Sequence, residues 1–249
     1  MTARYCSSVC GRFTLASPAE TIAGEFGLTD TEEVPELAPR YNIAPTEPVA
    51  AVRVAFTEGG EGPPGRVLET RRWGLVPHWA KKLEGPPWFN ARAEGLTERP
   101  AFRDAFRRHR CLIPADGFYE WQAVSGRRQP FYQRRRDGAP FAMAGLYASW
   151  QPEEGEPVAS CTIVTTAANA LLASLHDRMP VILEPEDWET WLDPDSRDTG
   201  ALAELLRPAD DAGWVSYAVD TQVNRAQTDE ASNIEPLFDE GLSEDGSSA

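Results

Sequence analysis

Four cysteines and three histidines are the side chains best suited to nucleophilic, metal or acid–base chemistry in this chain of 249 residues. Cys6, Cys10, Cys111 and Cys161 form no CxxC pair, and His78, His109 and His176 are scattered. This spacing argues against a structural zinc site. The cysteines are also too sparse for a disulfide scaffold, so a reducing, cytoplasmic compartment is expected. Cys111 and Cys161 sit in the apolar runs CLIPA and CTIVTT and read as core strand residues. Cys10 differs: Gly11 and Arg12 follow it where the patterned sequence begins. His109 lies in the basic stretch RDAFRRHR and reads as a surface residue.

The basic side chains carry a second hint. Lys81 and Lys82 are the only lysines, and the other basic residues are arginines, which suit bidentate phosphate contacts better. A GC-rich gene gives the same bias. The formal net charge of −15 argues at first against a nucleic-acid partner and is also compatible with a salt-adapted host. A local groove can nevertheless be cationic on an acidic body. Hydrophobic residues make up 41%, with eight Trp and ten Phe, an ordinary globular composition rather than a disordered one. No run approaches the ~20 apolar residues of a membrane span, and MTARYCSSVCGRF is not a secretory signal.

Several elements must position these groups. Ser17 with Glu20 makes a capping box, Pro18 takes the first helical position, and Gly27 is the stop. Residues 30–39 form an acidic loop; 48–56 is a strand; 57–66 is a turn-rich hairpin loop; 67–72 pairs back. Residues 73–92, with three Trp and three Pro, suit no regular element and either cover a core or present a binding surface. A short helix follows over 100–108, then strands over 111–121, 130–134, 141–150 and 158–165. A helix is expected from Thr166 to His176, further helices near 185–192 and 199–207, and a strand near 214–219. The run Arg134–Arg136 reads as an exposed hairpin. The whole is α+β, mainly antiparallel, in one domain.

Five separated motifs stand in order: CGRF at 10–13, YNIAPT at 41–46, WGLVPHW at 73–79 with FNARAE at 89–94, CLIPADGFYEW at 111–121, and HDRMP at 176–180. Together they resemble the SOS-response-associated peptidase (SRAP) family of abasic-site processing proteins. VNRAQTDEASNIEPL at 223–237 resembles the family's C-terminal end. The resemblance implies a single SRAP domain with a barrel-like sheet core and peripheral short helices. It implies a DNA-damage protein that binds single-stranded DNA containing an abasic site and uses no cofactor or metal. It also implies a covalent link to that site through an N-terminal cysteine, closed as a thiazolidine. Members also carry a peptidase assignment, chiefly because their own initiator methionine must be removed.

The ring chemistry explains the requirement. An amine attacks the open-chain aldehyde to give an imine, and a thiol closes a five-membered ring only if it is 1,2-related to that amine. An N-terminal cysteine alone offers both, because an internal residue has a non-nucleophilic amide nitrogen. The α-amine, at about 7.7–8, is partly neutral at physiological pH, unlike a lysine at about 10.4. The resemblance carries Cys10 over as this nucleophile and Asn90 as the contact positioning the sugar or amine. It makes Glu120, set among Phe118, Tyr119 and Trp121, the acid–base carboxylate, with desolvation raising its pKa. His176 becomes the acid that protonates the ring oxygen, helped by a helix C-terminus. Arg12, Arg92, Arg178 and, more weakly, Arg99 are the phosphate contacts. Trp79 and Pro45 stack on neighbouring bases; the other reading of Trp79 is a core aromatic.

The chain departs from the family where nine residues precede Cys10. A misassigned start, a removed leader or a lost activity would each account for this. The first is preferred: Val9 corresponds to a GUG start, and methionine removal would then expose Cys10. Residues 1–8 are accordingly expected to be a non-native leader, 9–238 the domain, and 239–249 an acidic disordered tail. Two rival functions remain: a thiol or N-terminal-nucleophile peptidase using Cys10 and His176, and a non-covalent single-strand binder if the leader stays attached. The sequence names no replication-fork partner and leaves the oligomeric state open.

Overall fold

The computed structural model describes residues 11–29, 35–56, 64–83, 87–124 and 126–237. Five strands close a ring. They are β3 (Pro48–Ala55), β4 (Gly65–Trp73), β6 (Arg110–Ala115), β9 (Phe141–Trp150) and β10 (Val158–Ala167). The order is β10–β4–β3–β6–β9 and back to β10; only the β10–β4 step is parallel. Three short strands extend this sheet. β5 (Asn90–Arg92) runs parallel to β10, while β11 (Arg178–Pro180) and β12 (Ile182–Leu183) pair antiparallel with β10 and β9.

A second, antiparallel sheet is built from β1 (Phe13–Leu15), β2 (Arg40–Ile43), β7 (Gly117–Val124), β8 (Arg127–Arg135) and β13 (Trp214–Ala218), in the order β13–β8–β7–β1–β2. The helices α1 (Ala19–Phe26), α2 (Pro100–Arg108), α3 (Trp188–Leu192) and α4 (Thr199–Glu204) are short and peripheral. The expected mainly antiparallel, barrel-like α+β domain is what forms. No helix among the described residues is long and apolar enough to cross a membrane.

Aromatic side chains weld the two sheets. Phe118 on β7 lies 6.4 Å from Phe141 on β9 and 6.0 Å from Trp214 on β13, ring centre to ring centre. On the other face of the second sheet, Tyr119, Tyr132, Val219 and Val223 form a smaller buried cluster. The segment after β13 covers it, returning through Leu237 N–H to Ala218 O at 2.9 Å and Tyr217 Oη to Ile234 O at 2.9 Å. Both faces of β7 are thus buried, which is why Tyr119 and Glu120 are each inaccessible although they point opposite ways.

Local expectations fail where a distant partner competes. Ser17 does not cap α1; its hydroxyl donates to Asp116 Oδ1 at 2.6 Å, and Ala16 and Ser17 N–H donate to Asp116 Oδ2. Bonds to an ionised carboxylate outcompete a neutral hydroxyl cap, and Pro18 stands at the N-cap, not the first helical position. Gly27 ends the helix as expected, left-handed at φ 59°. The expected strand 111–121 is two strands in different sheets, divided at Asp116. Gly117 permits the division, because a Cβ there would stand 2.2 Å from the Tyr132 ring.

The expected helix 166–176 does not form. Thr166 and Ala167 remain in β10, paired with Met179 and Arg178 of β11. The β-branched run Thr162–Thr166 suits that strand, and beyond it only hydrogen-bonded turns follow, including His176 N–H to Leu172 O at 3.0 Å. The loop 73–92 is mostly irregular as expected, but Asn90–Arg92 is the strand β5. The expected leader, most of the 57–66 hairpin loop and the acidic tail lie outside the described residues.

Candidate functional site

The ends of β1, β5, β7 and β10 set the site. Phe13 pairs with Phe118 and Thr14 with Gly117, and Tyr119 N–H donates to Arg12 O at 3.0 Å. Glu120 follows Tyr119 on β7, just beyond the end of this pairing. Glu120 is 2% exposed, so a carboxyl group is held inside the protein where the described chain begins. Phe13 also packs edge-on against Trp73 at 5.1 Å, and Trp73 against Phe89 at 5.9 Å. Trp73 Nε1 donates to Phe89 O at 2.8 Å. This aromatic line ties the start of β1 to Asn90, the residue after Phe89.

Asn90 and Arg92 flank the C-terminal half of β10, facing Ile163 and Thr165. Arg178, on β11, reaches the same end of β10. Arg178 is 8% exposed, and its guanidinium grips Glu94 bidentately at 2.6 and 3.0 Å, with a further bond to Thr165 O at 2.6 Å. Arg178 therefore ties β11 to β10 and to the turn that follows β5, and a phosphate would have to displace Glu94. The bond from Arg178 holds the Glu94 carboxyl below its ordinary pKa.

His176 is not at a helix end, so the dipole argument for it falls. The geometry offers another. Arg178 N–H donates to His176 Nδ1 at 3.1 Å, which requires a lone pair there and puts the proton on Nε2. Protonating the ring exchanges that partner for Asp177, whose Oδ1 lies 2.8 Å away. The imidazole has a partner in either charge state, as a proton-transfer group requires. Gln122, two residues after Glu120, reaches this loop through Ser174 O at 3.5 Å.

Arg12 is half-buried rather than free. It donates to Asn42 Oδ1 at 2.7 Å and Val223 O at 3.0 Å, and burial lowers its pKa against the opposing pull of Glu47 and Tyr119. Asn42 is fully buried. Its Nδ2 reaches Val223 O, Arg225 O and Thr228 O at 3.1, 3.0 and 2.7 Å. Two N–H groups thus serve three carbonyls, one of them shared. Asp229 completes this strap by accepting from Arg40 and from Tyr41 N–H.

Asn42→Ala is expected to lower stability by about 2–4 kcal/mol, because buried carbonyls and Arg12 lose their partner. Thermal unfolding should show a midpoint lower on the order of 10 °C; an unchanged midpoint would refute the role.

Pro45 sits in a type II turn, with Glu47 N–H bonding Ala44 O at 3.2 Å and Thr46 at φ 79°. A β-branched residue at that angle is strained. Thr46 N–H to Trp73 O at 2.7 Å and Glu47 Oε2 to Ala44 N–H at 3.1 Å hold it. Trp79 is 50% exposed, so it is not a core aromatic. It leads through Trp88 to Phe102 of α2, at 6.3 and 6.1 Å, and α2 begins beside the exposed Arg99. Arg92 is also exposed.

Cys10 lies outside the described residues. Cys111 and Cys161 are fully buried, and burial pushes Cys111 up to about 12 and Cys161 well above its ordinary value. Neither supplies a thiolate near neutral pH. Among the described residues, no group of three or more His, Cys, Asp and Glu could hold a metal ion.

The sequence profile of the SOS response associated peptidase (SRAP) family matches residues 9–226. The chain belongs to the SRAP family. Curated SRAP relatives include the abasic site processing protein YoqW of Bacillus subtilis, 38% identical over 229 residues, covering 91% of this chain and 99% of that one. YedK of Escherichia coli, also named an abasic site processing protein, is 31% identical over 235 residues, covering 92% and 100%. A solved protein from Bordetella bronchiseptica is similar at a TM-score of 0.71 and 27% identity, covering 85% of this chain and 100% of that one. One from Bacteroides thetaiotaomicron, at 0.79 and 24%, covering 92% and 100%, shares the fold.

Sequence reasoning missed Asn42, Thr46, Glu94 and Asp229. Asn42 and Thr46 stand in YNIAPT, and Glu94 continues the every-second-residue pattern of Asn90 and Arg92. Asp229 stands in VNRAQTDEASNIEPL but acts across a separation of 188 residues, which the motif does not reveal.

Proposed function

We propose that this protein processes abasic sites in damaged DNA, binding single-stranded DNA at the lesion and capturing the ring-opened aldehyde through Cys10 as a thiazolidine. The observation that carries this reading is the β1–β7 pairing, which brings Arg12, near the start of the described chain, against Tyr119, the residue before the buried Glu120. Relatives named abasic site processing proteins match nearly the whole chain.

The reaction needs Cys10 as the first residue. Its neutral amine adds to the sugar aldehyde; the carbinolamine loses water to give an imine. The thiol then adds to the imine carbon, its proton passing to nitrogen. Glu120 moves the proton to the departing hydroxyl, His176 donates to the sugar ring oxygen during opening, and Asn90 orients the sugar or amine. Arg12, Arg92, Arg99 and Arg178 are assigned to the phosphates, Arg178 through the loop it locks, while Trp79 and Pro45 meet the neighbouring bases. An imine that escapes ring closure can expel the 3′ phosphate by β-elimination, a lyase-type side reaction. Bound to DNA, the protein would associate with the nucleoid.

Incubation with an oligonucleotide bearing a natural abasic site tests the reading. A heat-stable adduct on a denaturing gel, mapped by mass spectrometry to an N-terminal Cys10, is expected. Salt-sensitive binding without an adduct would reduce the protein to a non-covalent binder, and proteolysis alone would favour the peptidase reading.

A further inference from the structure

We propose that the β7–β8 hairpin is an arm that holds the DNA backbone on one side of the lesion, a surface that rests on the function proposed above. Strand alternation puts Glu120, Gln122 and Val124 on one face of β7. Register adds Gln129 opposite Gln122, and Arg127 opposite Val124, to that face. A ladder of side chains therefore climbs from the buried carboxyl to the hairpin tip. At about 3.4 Å per residue, Val124 lies roughly 14 Å beyond Glu120, a reach of about four stacked nucleotides.

The tip is cationic and open. Arg127 and Arg128 are both exposed, and neither has an ion pair with a carboxylate among the described residues. Farther along β8 the arginines are committed differently: Arg135 pairs with Asp137 at 2.7 Å, and Arg134 donates to Arg135 O at 2.8 Å. Two uncompensated guanidinium groups on a protein of net charge −15 favour a polyanion. Arg128, paired with Ala123, stands on the opposite face with its guanidinium over the Trp121 ring at 5.8 Å, so Arg127 continues the ladder and Arg128 flanks it from the other side of the hairpin tip. Val124, 47% exposed, adds apolar surface between the glutamines and the arginines. Gln122 ties the base of the ladder to the His176 loop through Ser174 O, so a strand leaving the lesion along this face stays in contact with the site.

The test uses an oligonucleotide carrying a tetrahydrofuran abasic analogue, which has no aldehyde and reports binding alone. One series trims the 5′ flank and another the 3′ flank. Arg127→Ala with Arg128→Ala should weaken binding about tenfold at 0.1 M salt, and reduce the salt slope by about 1.4 for two phosphate contacts on a single strand. The loss should vanish when one flank, and only that one, is cut to a single nucleotide. Arg127→Lys with Arg128→Lys should restore most of the affinity, and all variants should melt as the wild type does. Unchanged affinity and slope in a wild type that still forms the adduct would overturn the arm alone. A loss indifferent to both flanks would overturn it too, as would DNA binding unchanged while an acidic polyglutamate peptide is lost. A wild type that neither binds nor crosslinks would overturn the underlying function as well.

Discussion

Cys10→Ala should form no heat-stable adduct with an abasic-site oligonucleotide, while still binding the tetrahydrofuran analogue within about twofold of wild type. The expectation follows from what each atom of the residue supplies. Alanine at the N-terminus retains the α-amine and can form an imine, but has no thiol to close on it, and imines hydrolyse. Cys10→Ser retains a hydroxyl, a far weaker nucleophile at neutral pH than a thiol, so at most a poorly stabilised oxazolidine forms. Borohydride separates the steps: it should trap covalent complex in both variants by reducing the imine, although neither yields a heat-stable product untreated. Cys111 and Cys161 cannot substitute, being fully buried with thiols shifted upward. A boiled, unreduced adduct of wild-type yield from either variant would show that another group is the nucleophile. Retention of residues 1–8 on active protein would overturn the chemistry differently, because Cys10 would then have an amide nitrogen.

Particular residues show what the sequence could and could not reveal. Strands with sustained apolar runs, such as PVAAVRVA and FAMAGLYASW, were legible because both faces of a barrel strand are buried. Gly27 was legible because few residues tolerate its left-handed angle. The helix expected after Thr166 was not, because ANALLASL has helical spacing while β11, a strand of three residues, captures its start. Ser17 has the local pattern of a cap but meets a carboxylate 99 residues away. The site follows the same division. Glu120 could be singled out as an acid among aromatics, yet its burial depends on tertiary packing over the face of β7 that it shares with Phe118, opposite the face that the C-terminal strap covers. Arg178 looked like a phosphate ligand because the pattern shows charge; its bidentate bond to Glu94 is a tertiary fact. Motif order locates such a site, but long-range pairing decides which of its charges are committed.

That division bears on the second large effect. Glu120→Gln should slow adduct formation by about 10²–10⁴-fold, the usual range for removing a positioned general acid–base group. Glutamine keeps the size and hydrogen-bonding reach of the side chain, so a packing role and a proton-transfer role part company here. Glu120 pairs across the sheet with Phe131 and is 2% exposed, and the isosteric change leaves that volume filled. Affinity for the tetrahydrofuran analogue should stay within about twofold, since no proton moves in binding. The pH dependence that the carboxyl contributes to wild-type adduct formation should be absent from the variant, which keeps the contributions of the α-amine and His176. Single-turnover rates across pH 5–9 measure this directly. A variant within threefold of wild type, with the same pH profile, would make Glu120 a structural residue. A variant that loses binding and rate together would place it in DNA recognition. Only loss of rate with retained affinity matches a carboxyl that shuttles the proton on which dehydration to the imine depends.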